Sequence, residues 1–140
     1  MLVENIMTPT IVIIRADASL AEAAAMMKEH NVGCLPVVED NEIIGVISDR
    51  DMVVRALARM PHPEDTSVRA AATHGALCCH SDQTLEDVAR LMRRYGVRRL
   101  LVLDNRNRPV GIVSVGDIAS KGHDRKLAGE VLEDLCSIKK

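Results

Sequence analysis

The sequence predicts a mixed α+β protein with two copies of a strand, helix, strand, strand, helix unit and a C-terminal amphipathic helix. Three observations predict this class. The 140-residue chain repeats itself once, each copy alternates short β-branched runs with apolar stripes of helical spacing, and a proline-containing linker separates the copies. Hydrophobic residues make up 47% and charged residues 27% of the chain. That composition is typical of a packed soluble domain and excludes a disordered chain.

Sliding the sequence against itself by 65 positions brings the two copies into register. Asp17 aligns with Asp82, Val37 with Val102 and, one inserted residue later, Gly45 with Gly111, Ser48 with Ser114 and Asp51 with Asp117. We therefore predict a first repeat over residues 5–60, a linker over 61–67, a second repeat over 68–122 and a helical tail over 123–140.

The first strand and helix of each copy have clear signals. The β-branched run at 11–14 predicts a strand. Ser19 with Glu22 forms a capping box before an apolar stripe and predicts the start of a helix. In the second copy Thr84 with Asp87 takes the place of this cap.

A hairpin and a second helix complete each copy. Apolar runs at 34–38 and 43–47 flank a turn-prone segment and predict two antiparallel strands. Pro36 is expected at the start or at an edge of its strand. The counterpart hairpin joins 100–103 to 109–113, helices are predicted after Ser48 and after Ser114, and an amphipathic helix is predicted in the tail from Asp124.

Each copy contains a glycine, two apolar residues, a serine, two variable residues and an aspartate, from Gly45 to Asp51 and from Gly111 to Asp117. This spacing puts a hydroxyl and a carboxylate at a helix N-terminus directly after a strand, where free amides favour anions. A carboxylate there can accept hydrogen bonds from two sugar hydroxyls, and the glycine would let a flat base approach the strand. The alternative interpretation is a plain helix cap, because S-x-x-D is also a capping box.

A second group of candidate ligands is the segment from His74 to His80, which contains Cys78 and Cys79. Such side chains bind zinc and copper. The repeat places Cys78, Cys79 and His80 in a strand, whose alternation sends the two cysteines to opposite faces. Buried thiols without a metal are therefore favoured, and a metal or redox sensor is the weaker alternative.

Other function classes are excluded or disfavoured. Neither a nucleophile elbow, a zinc-protease motif, a P-loop nor a dinucleotide fingerprint occurs, so we predict that the chain is not an enzyme. The net charge of −2 and a single aromatic residue, Tyr95, argue against nucleic-acid binding. No apolar run is long enough to span a membrane. Four cysteines without a disulfide framework indicate reduced thiols and a cytoplasmic protein.

The repeat, the linker, the opening residues 6–9, the segment 30–38 and the two Gly-to-Asp motifs together resemble a tandem pair of cystathionine-beta-synthase (CBS) domains, the Bateman module. The resemblance covers positions 5 to 122 and is greatest to small stand-alone bacterial CBS-pair proteins. It implies two βαββα units packed about a pseudo-twofold axis, clefts that bind adenosine-containing ligands, and a homodimer.

Carried over residue by residue, the resemblance implies that Asp51 and Asp117 hold ribose, with Ser48 and Ser114 as their hydroxyl partners. Apolar strand residues would frame the adenine. Arg98 and Arg99 stand where phosphate-binding members carry a basic pair, whereas the first copy has Gly33 and Cys34 there. The predicted ligand-binding set is therefore Ser48, Asp51, Arg98, Arg99, Ser114, Asp117, Val37, Val102, Gly45 and Gly111. For the two arginines, a solvated or ion-paired strand edge is the open alternative.

The leading hypothesis is a regulatory module that senses AMP, ADP, ATP, S-adenosylmethionine or NAD(H) and signals to a partner protein whose identity the sequence leaves open. No cofactor is required, and an adenine nucleotide would act as a regulatory ligand. The alternative is a homodimeric scaffold for protein association that needs no ligand and in which both motifs serve as helix caps.

Overall fold

The computed structural model describes residues 1–9, 12–59, 62–75 and 77–138. These residues form two compact units. Residues 12–59 and 62–75 make the first-repeat unit, and residues 1–9 and 77–138 make the second-repeat unit. Each has its own sheet and its own hydrophobic core, which confirms the predicted mixed α+β class with two repeats. The predicted strand residue Ile11 and part of the predicted linker and tail lie outside the described residues.

The strands, in chain order, are β1 (Thr8–Pro9), β2 (Ile14–Arg15), β3 (Cys34–Glu39), β4 (Glu42–Ser48), β5 (Thr73–His74), β6 (Cys78–His80), β7 (Arg99–Leu103) and β8 (Pro109–Ser114). The helices are α1 (Leu20–His30), α2 (Asp49–Asp51), α3 (Val68–Ala71), α4 (Leu85–Tyr95), α5 (Val115–Ser120) and α6 (Arg125–Ile138). A short 3-10 turn, Val3–Asn5, precedes β1, and a π-helical segment, Met52–Leu57, continues α2. Within the described ranges, no helix is both long and apolar enough to cross a bilayer.

The sheet of the first-repeat unit has the order β2-β3-β4-β5. The predicted hairpin is present, and its turn residues Asp40 and Asn41 have φ values of 51° and 64°. This left-handed backbone matches the twist of a tight hairpin. Of the two positions expected for Pro36, the structure shows the one near the start of its strand, since β3 as a whole lies inside the sheet. Pro36 lies before the pairing with β2 begins at Val37.

Helix α1 begins where predicted, because the amide of Glu22 donates to Ser19 Oγ at 3.1 Å. Its buried face places Leu20, Ala23 and Met27 in the core of the first-repeat unit. Asn31, at φ 53°, adopts the left-handed conformation that commonly ends a helix.

The second-repeat unit repeats this plan in a sheet of order β1-β8-β7-β6. Thr84 and Asp87 form the predicted capping box of α4. The predicted tail helix is α6, which packs against α4 and α5 and buries Ala128, Val131 and Leu135 in the core. The amphipathic stripe of the tail is therefore used within its own unit.

Each sheet takes one edge strand from the segment that precedes the other repeat. Strand β1 pairs with β8, with Thr8 opposite Ile112, whereas β5 pairs with β4, with Thr73 opposite Val46. Thr8 and Thr73 are 65 positions apart, so this exchange is reciprocal and follows the repeat. It brings a threonine from a distant segment to the end of each sheet that carries the Ser and Asp motif.

Candidate functional site

Both Gly-to-Asp motifs form the same local structure at the end of a strand. Ser48 Oγ accepts from the Asp51 amide at 3.1 Å, and Asp51 Oδ2 accepts from the Ser48 amide at 3.0 Å. The equivalent distances for Ser114 and Asp117 are 3.1 and 2.9 Å. The structure therefore shows that both motifs act as helix caps. In each cap Oδ2 of the aspartate is the acceptor, so the other carboxylate oxygen, Oδ1, faces a different set of partners.

Asp51 is a buried carboxylate, with 8% of the residue exposed. Its Oδ1 atom accepts a hydrogen bond from Thr73 Oγ1 at 3.2 Å and lies 3.7 Å from Arg55 Nε. Arg55 also donates to the carbonyl of Ala72. Thr73 and Arg55 thus compensate the cost of removing this charge from water.

Asp117 has the same kind of surroundings in the second-repeat unit. Its Oδ1 atom lies 3.6 Å from Lys121 Nζ, and this ammonium also donates to Thr8 Oγ1 at 3.4 Å. Each motif therefore combines a capped aspartate, a cation one helical turn later and a threonine from the exchanged strand.

Four residues at these sites were not predicted from the sequence, although signals for them existed: Thr8, Thr73, Arg55 and Lys121. Both cations follow the motif aspartate by four residues, which places them on the same helix face. Both threonines fall on the 65-residue offset. The contact of Thr73 with Asp51 and that of Thr8 with Lys121 depend on the strand exchange, which a local pattern does not reveal.

The two motif glycines are explained by the neighbouring strand. A Cβ atom on Gly45 would lie 2.1 Å from the carbonyl oxygen of Thr73, and one on Gly111 would lie 2.8 Å from that of Thr8. The close approach of β5 or β1 therefore accounts for the glycine at each of these positions. A ligand contact at either glycine stays a prediction.

Val37 and Val102 are both 0% exposed and belong to the two hydrophobic cores. Their side chains thus belong to the cores. A contact of either valine with a ligand stays a prediction.

The basic pair lies beside the second motif. Arg99 is paired with Ser114 in the β7–β8 hairpin, and the carbonyl of Arg98 accepts from the Val115 amide at 3.1 Å. Both side chains are exposed. Among the described residues, neither guanidinium has a hydrogen-bond or ion-pair partner, so of the alternatives named above a solvated strand edge stays open beside the phosphate site.

Gly33 and Cys34 occupy the same positions in the first-repeat unit. Cys34 is paired with Ser48, and the carbonyl of Gly33 accepts from the Asp49 amide at 2.9 Å. The local backbone is the same in both units, but the side chains differ in charge.

The cysteine and histidine segment does not gather around one point. Cys79 is 1% exposed, Cys78 is partly buried, and His80 is exposed with Nε2 3.2 Å from Asn107 Oδ1. Burial raises the pKa of the Cys79 thiol to about 12 and also raises the pKa of Cys78. Protonated thiols are poor metal ligands. Elsewhere, His62, Glu64 and Asp65 lie exposed in the linker with ligand atoms within 4.8 Å of one another.

A pocket of about 390 Å³ lies at the other end of the first-repeat sheet. It is lined by β2, the β3–β4 turn and Arg69, and two ion pairs, Arg15 with Asp17 and Arg69 with Glu39, cross its wall. This pocket contains none of the predicted site residues.

Comparison with known proteins shows what the chain resembles. The family model described as "CBS domain" matches residues 3–57 and 68–124. The CBS domain-containing protein YhcV of Bacillus subtilis is 33% identical over 133 residues, which cover 95% of this chain and 94% of YhcV.

Solved structures with a similar fold include complexes with adenosine compounds. The CBS domain pair of protein MJ0100, in complex with 5-methylthioadenosine and S-adenosyl-L-methionine, has a TM-score of 0.76 and 28% identity, with 90% of this chain and 98% of that one covered. CBSX2 in complex with AMP has a TM-score of 0.70 and 27% identity, with 89% and 98% covered. The match of the family model to both repeats, together with the shared fold, shows that this chain belongs to the CBS domain family.

Proposed function

We propose that the chain is a regulatory module that binds an adenosine-containing ligand at its Ser and Asp motifs and signals occupancy to a partner protein. The observation that carries the proposal is in the second-repeat unit, where the motif with the Asp117 carboxylate adjoins two arginines that have no ion-pair partner within the described ranges. Asp117 supplies the acceptor, and Arg98 and Arg99 supply the cations. AMP, ADP, ATP, S-adenosylmethionine and NAD(H) are the candidate ligands, and no catalytic step is part of the proposal.

The ribose is the part of the ligand that the aspartates suit. A carboxylate has about four acceptor sites, and the cap and the local threonine or cation occupy only some of them at each motif. The two vicinal hydroxyls of a ribose could donate to the remaining sites, as they do to the acidic residue of dinucleotide folds. The bound adenosine compounds in the MJ0100 pair and in CBSX2 support an adenosine-containing ligand.

The phosphate is the part that the arginines suit. A guanidinium donates two parallel hydrogen bonds to a phosphate, and such charge-assisted bonds are stronger than neutral ones. Because Arg98 and Arg99 have no described protein partner, a phosphate would not have to displace an existing ion pair.

The second candidate function is a ligand-independent scaffold. It is favoured by the fact that both motifs are complete helix caps as they stand.

Under either function we propose a homodimer, because Val53, Val54 and Leu57 are 58, 51 and 62% exposed on one helical segment. Contiguous exposed apolar residues usually mark an interaction surface. The raised pKa of Cys79 disfavours the third candidate, a redox or metal sensor.

A thermal-shift screen against the five ligand types separates the first two functions. A ligand at about 100 times its dissociation constant stabilises a protein by about 2.7 kcal/mol. An external dye or circular dichroism is the readout, because the chain has no tryptophan. We expect a ligand to raise the melting temperature and Asp117→Asn to reduce that rise. With AMP, Asp117→Asn should reduce it more than Asp51→Asn does. Asparagine keeps an acceptor for the cap. The absence of any shift across the panel would leave the scaffold as the function.

A further inference from the structure

We infer that the two sites select adenosine ligands of opposite charge, and that Asp49 is the residue that sets this preference in the first-repeat unit. The inference rests on the proposed function. The second-repeat site would take a phosphorylated adenosine. The first-repeat site would take an adenosine compound whose 5′ substituent is neutral or cationic, such as a sulfonium.

The carboxylate of Asp49 lies over Gly33. A Cβ atom built on Gly33 would have three atoms of Asp49 as its nearest neighbours, with Oδ2 at 2.8 Å and Cγ at 3.3 Å. Gly33 is the counterpart of Arg98 in the repeat. The space in which the arginine side chain begins in one unit is therefore filled by a carboxylate in the other.

The same exchange is seen from the helix. Asp49 is the first residue of α2 and is exposed, whereas its counterpart Val115 is the first residue of α5 and is 4% exposed. Two hydrogen bonds hold Asp49 in place, because its amide donates to the Gly33 carbonyl at 2.9 Å and its Oδ1 accepts from the Arg50 amide at 2.8 Å. The negative charge thus has a defined position beside the motif.

The cations near the first motif do not cancel this charge. Arg55 is engaged by Asp51 and by the carbonyl of Ala72. The side chain of Arg50 is exposed, and adjacent residues of a helix do not face each other. In the second-repeat unit the corresponding groups are Asp117, Lys121 and the two free arginines. A phosphate in the second-repeat unit would lie near two guanidinium groups. In the first-repeat unit it would lie near the carboxylate of Asp49.

Calorimetry on single-site proteins tests the inference. Asp117→Asn weakens the second-repeat site, so the first-repeat site can be titrated with adenosine, AMP and S-adenosylmethionine. We expect AMP to bind about tenfold more weakly than adenosine, because like charges at contact distance repel, and S-adenosylmethionine to bind at least as tightly. Adding Asp49→Asn should raise the affinity for AMP about tenfold. It should lower the affinity for S-adenosylmethionine and leave the affinity for adenosine unchanged.

Two further variants control this result. Asp40→Asn removes the same charge in the hairpin turn at the opposite end of β4 and should leave AMP affinity unchanged. Gly33→Arg combined with Asp49→Val copies the second-repeat arrangement. Gly33 does not have the positive φ that only glycine adopts easily, and its nearest obstruction is Asp49. This double variant should therefore bind AMP more tightly than adenosine, a gain that misfolding would not produce.

The inference is overturned if the Asp117→Asn protein prefers AMP and Asp49→Asn does not alter that preference, or if Arg50→Ala abolishes AMP binding to this site. If adenosine binds but the substitutions at Asp49 are silent, the charge selection is wrong and the proposed function stands. If no adenosine compound binds the unsubstituted protein, the proposed function itself fails and the inference fails with it.

Discussion

Thr73 Oγ1 donates a hydrogen bond to Asp51 Oδ1 at 3.2 Å, although the two residues are 22 positions apart. The threonine comes from the exchanged edge strand and the aspartate from the helix cap. This contact links the pairing of the edge strand to the position of Asp51, the residue proposed to bind ribose.

Thr73→Val should remove this hydrogen bond and lower the free energy of unfolding by about 1.5 kcal/mol, since the acceptor is a buried charge. Urea denaturation followed by circular dichroism measures it. The matched control is Thr8→Val, whose contact with Lys121 is longer, at 3.4 Å, and exposed. Its effect should stay below about 0.5 kcal/mol. Equal effects of the two variants would contradict the importance of burial at Asp51.

Gly45→Ala should destabilise the first-repeat unit, because the new Cβ atom would lie 2.1 Å from the Thr73 carbonyl oxygen and β5 would have to move. Overpacking of this kind costs about 1–3 kcal/mol. Gly129→Ala in α6 is the matched control, since nothing lies within 4 Å of its added atom. We expect it to stabilise the protein by about 0.5–1 kcal/mol. A neutral Gly45→Ala would show that β5 does not hold its position.

The arginine pair should make the intact protein prefer AMP over adenosine. Replacing both residues, Arg98→Ala with Arg99→Ala, removes two exposed cations without touching the cap. We expect the preference for AMP to fall about tenfold or more, a loss of at least about 1.4 kcal/mol, while adenosine affinity changes little. Calorimetry gives both affinities. If AMP and adenosine bound equally well to the unsubstituted protein, the proposal of a phosphate site in the second repeat would be wrong.

Val53→Asp with Leu57→Asp should convert the proposed homodimer into a monomer, because both side chains are more than half exposed and a charge there opposes apolar association. Light scattering measures the mass, and an unchanged circular dichroism spectrum verifies the fold. Removing residues 124–140 serves as a contrast, since α6 is packed in its own unit. That deletion should lower stability more than it lowers dimer affinity.

The Asp87 carboxylate should contribute to acid denaturation. The hydrogen bond from the Thr84 amide is the main cause that holds the pKa of Asp87 below its ordinary value. A lowered pKa in the folded state means that the contribution is complete above the pKa of the unfolded chain. It is lost as pH falls through the folded value.

Asp87→Asn keeps an acceptor for the Thr84 amide but does not titrate. The decline of unfolding free energy with acid, measured by urea titrations at successive pH values, should therefore become shallower. Arg90→Ala should retain most of the slope, because Arg90 is a smaller cause of the shift. If Arg90→Ala changed the pH dependence more than Asp87→Asn, the hydrogen bond from the Thr84 amide would not be the main cause of the lowered pKa.

The parts of the site that sequence reasoning predicted are those that depend on local contacts. The caps at Ser48 and Ser114 involve residues three apart, and the two hairpins involve neighbouring strands. The surroundings of Gly45 and Val37 were not predicted, for a different reason. Their environment is set by β5 and by the core, which join segments far apart in sequence. Two-residue strands such as β1 and β5 carry too little pattern to predict their pairing.

The reciprocal strand exchange also has a consequence for the order of folding during synthesis. All strands of the first-repeat sheet have been made once the chain has passed His74. Strand β1, which is made before these strands, pairs with β8 only after Ile112 has been made. Contacts of such long sequence separation form late, because the loop must close before the contact forms. The segment that contains β1 therefore leaves the ribosome long before β8 and is among the last to acquire its partner strand. Until then the buried residues Val3 and Ile6 have no core to enter.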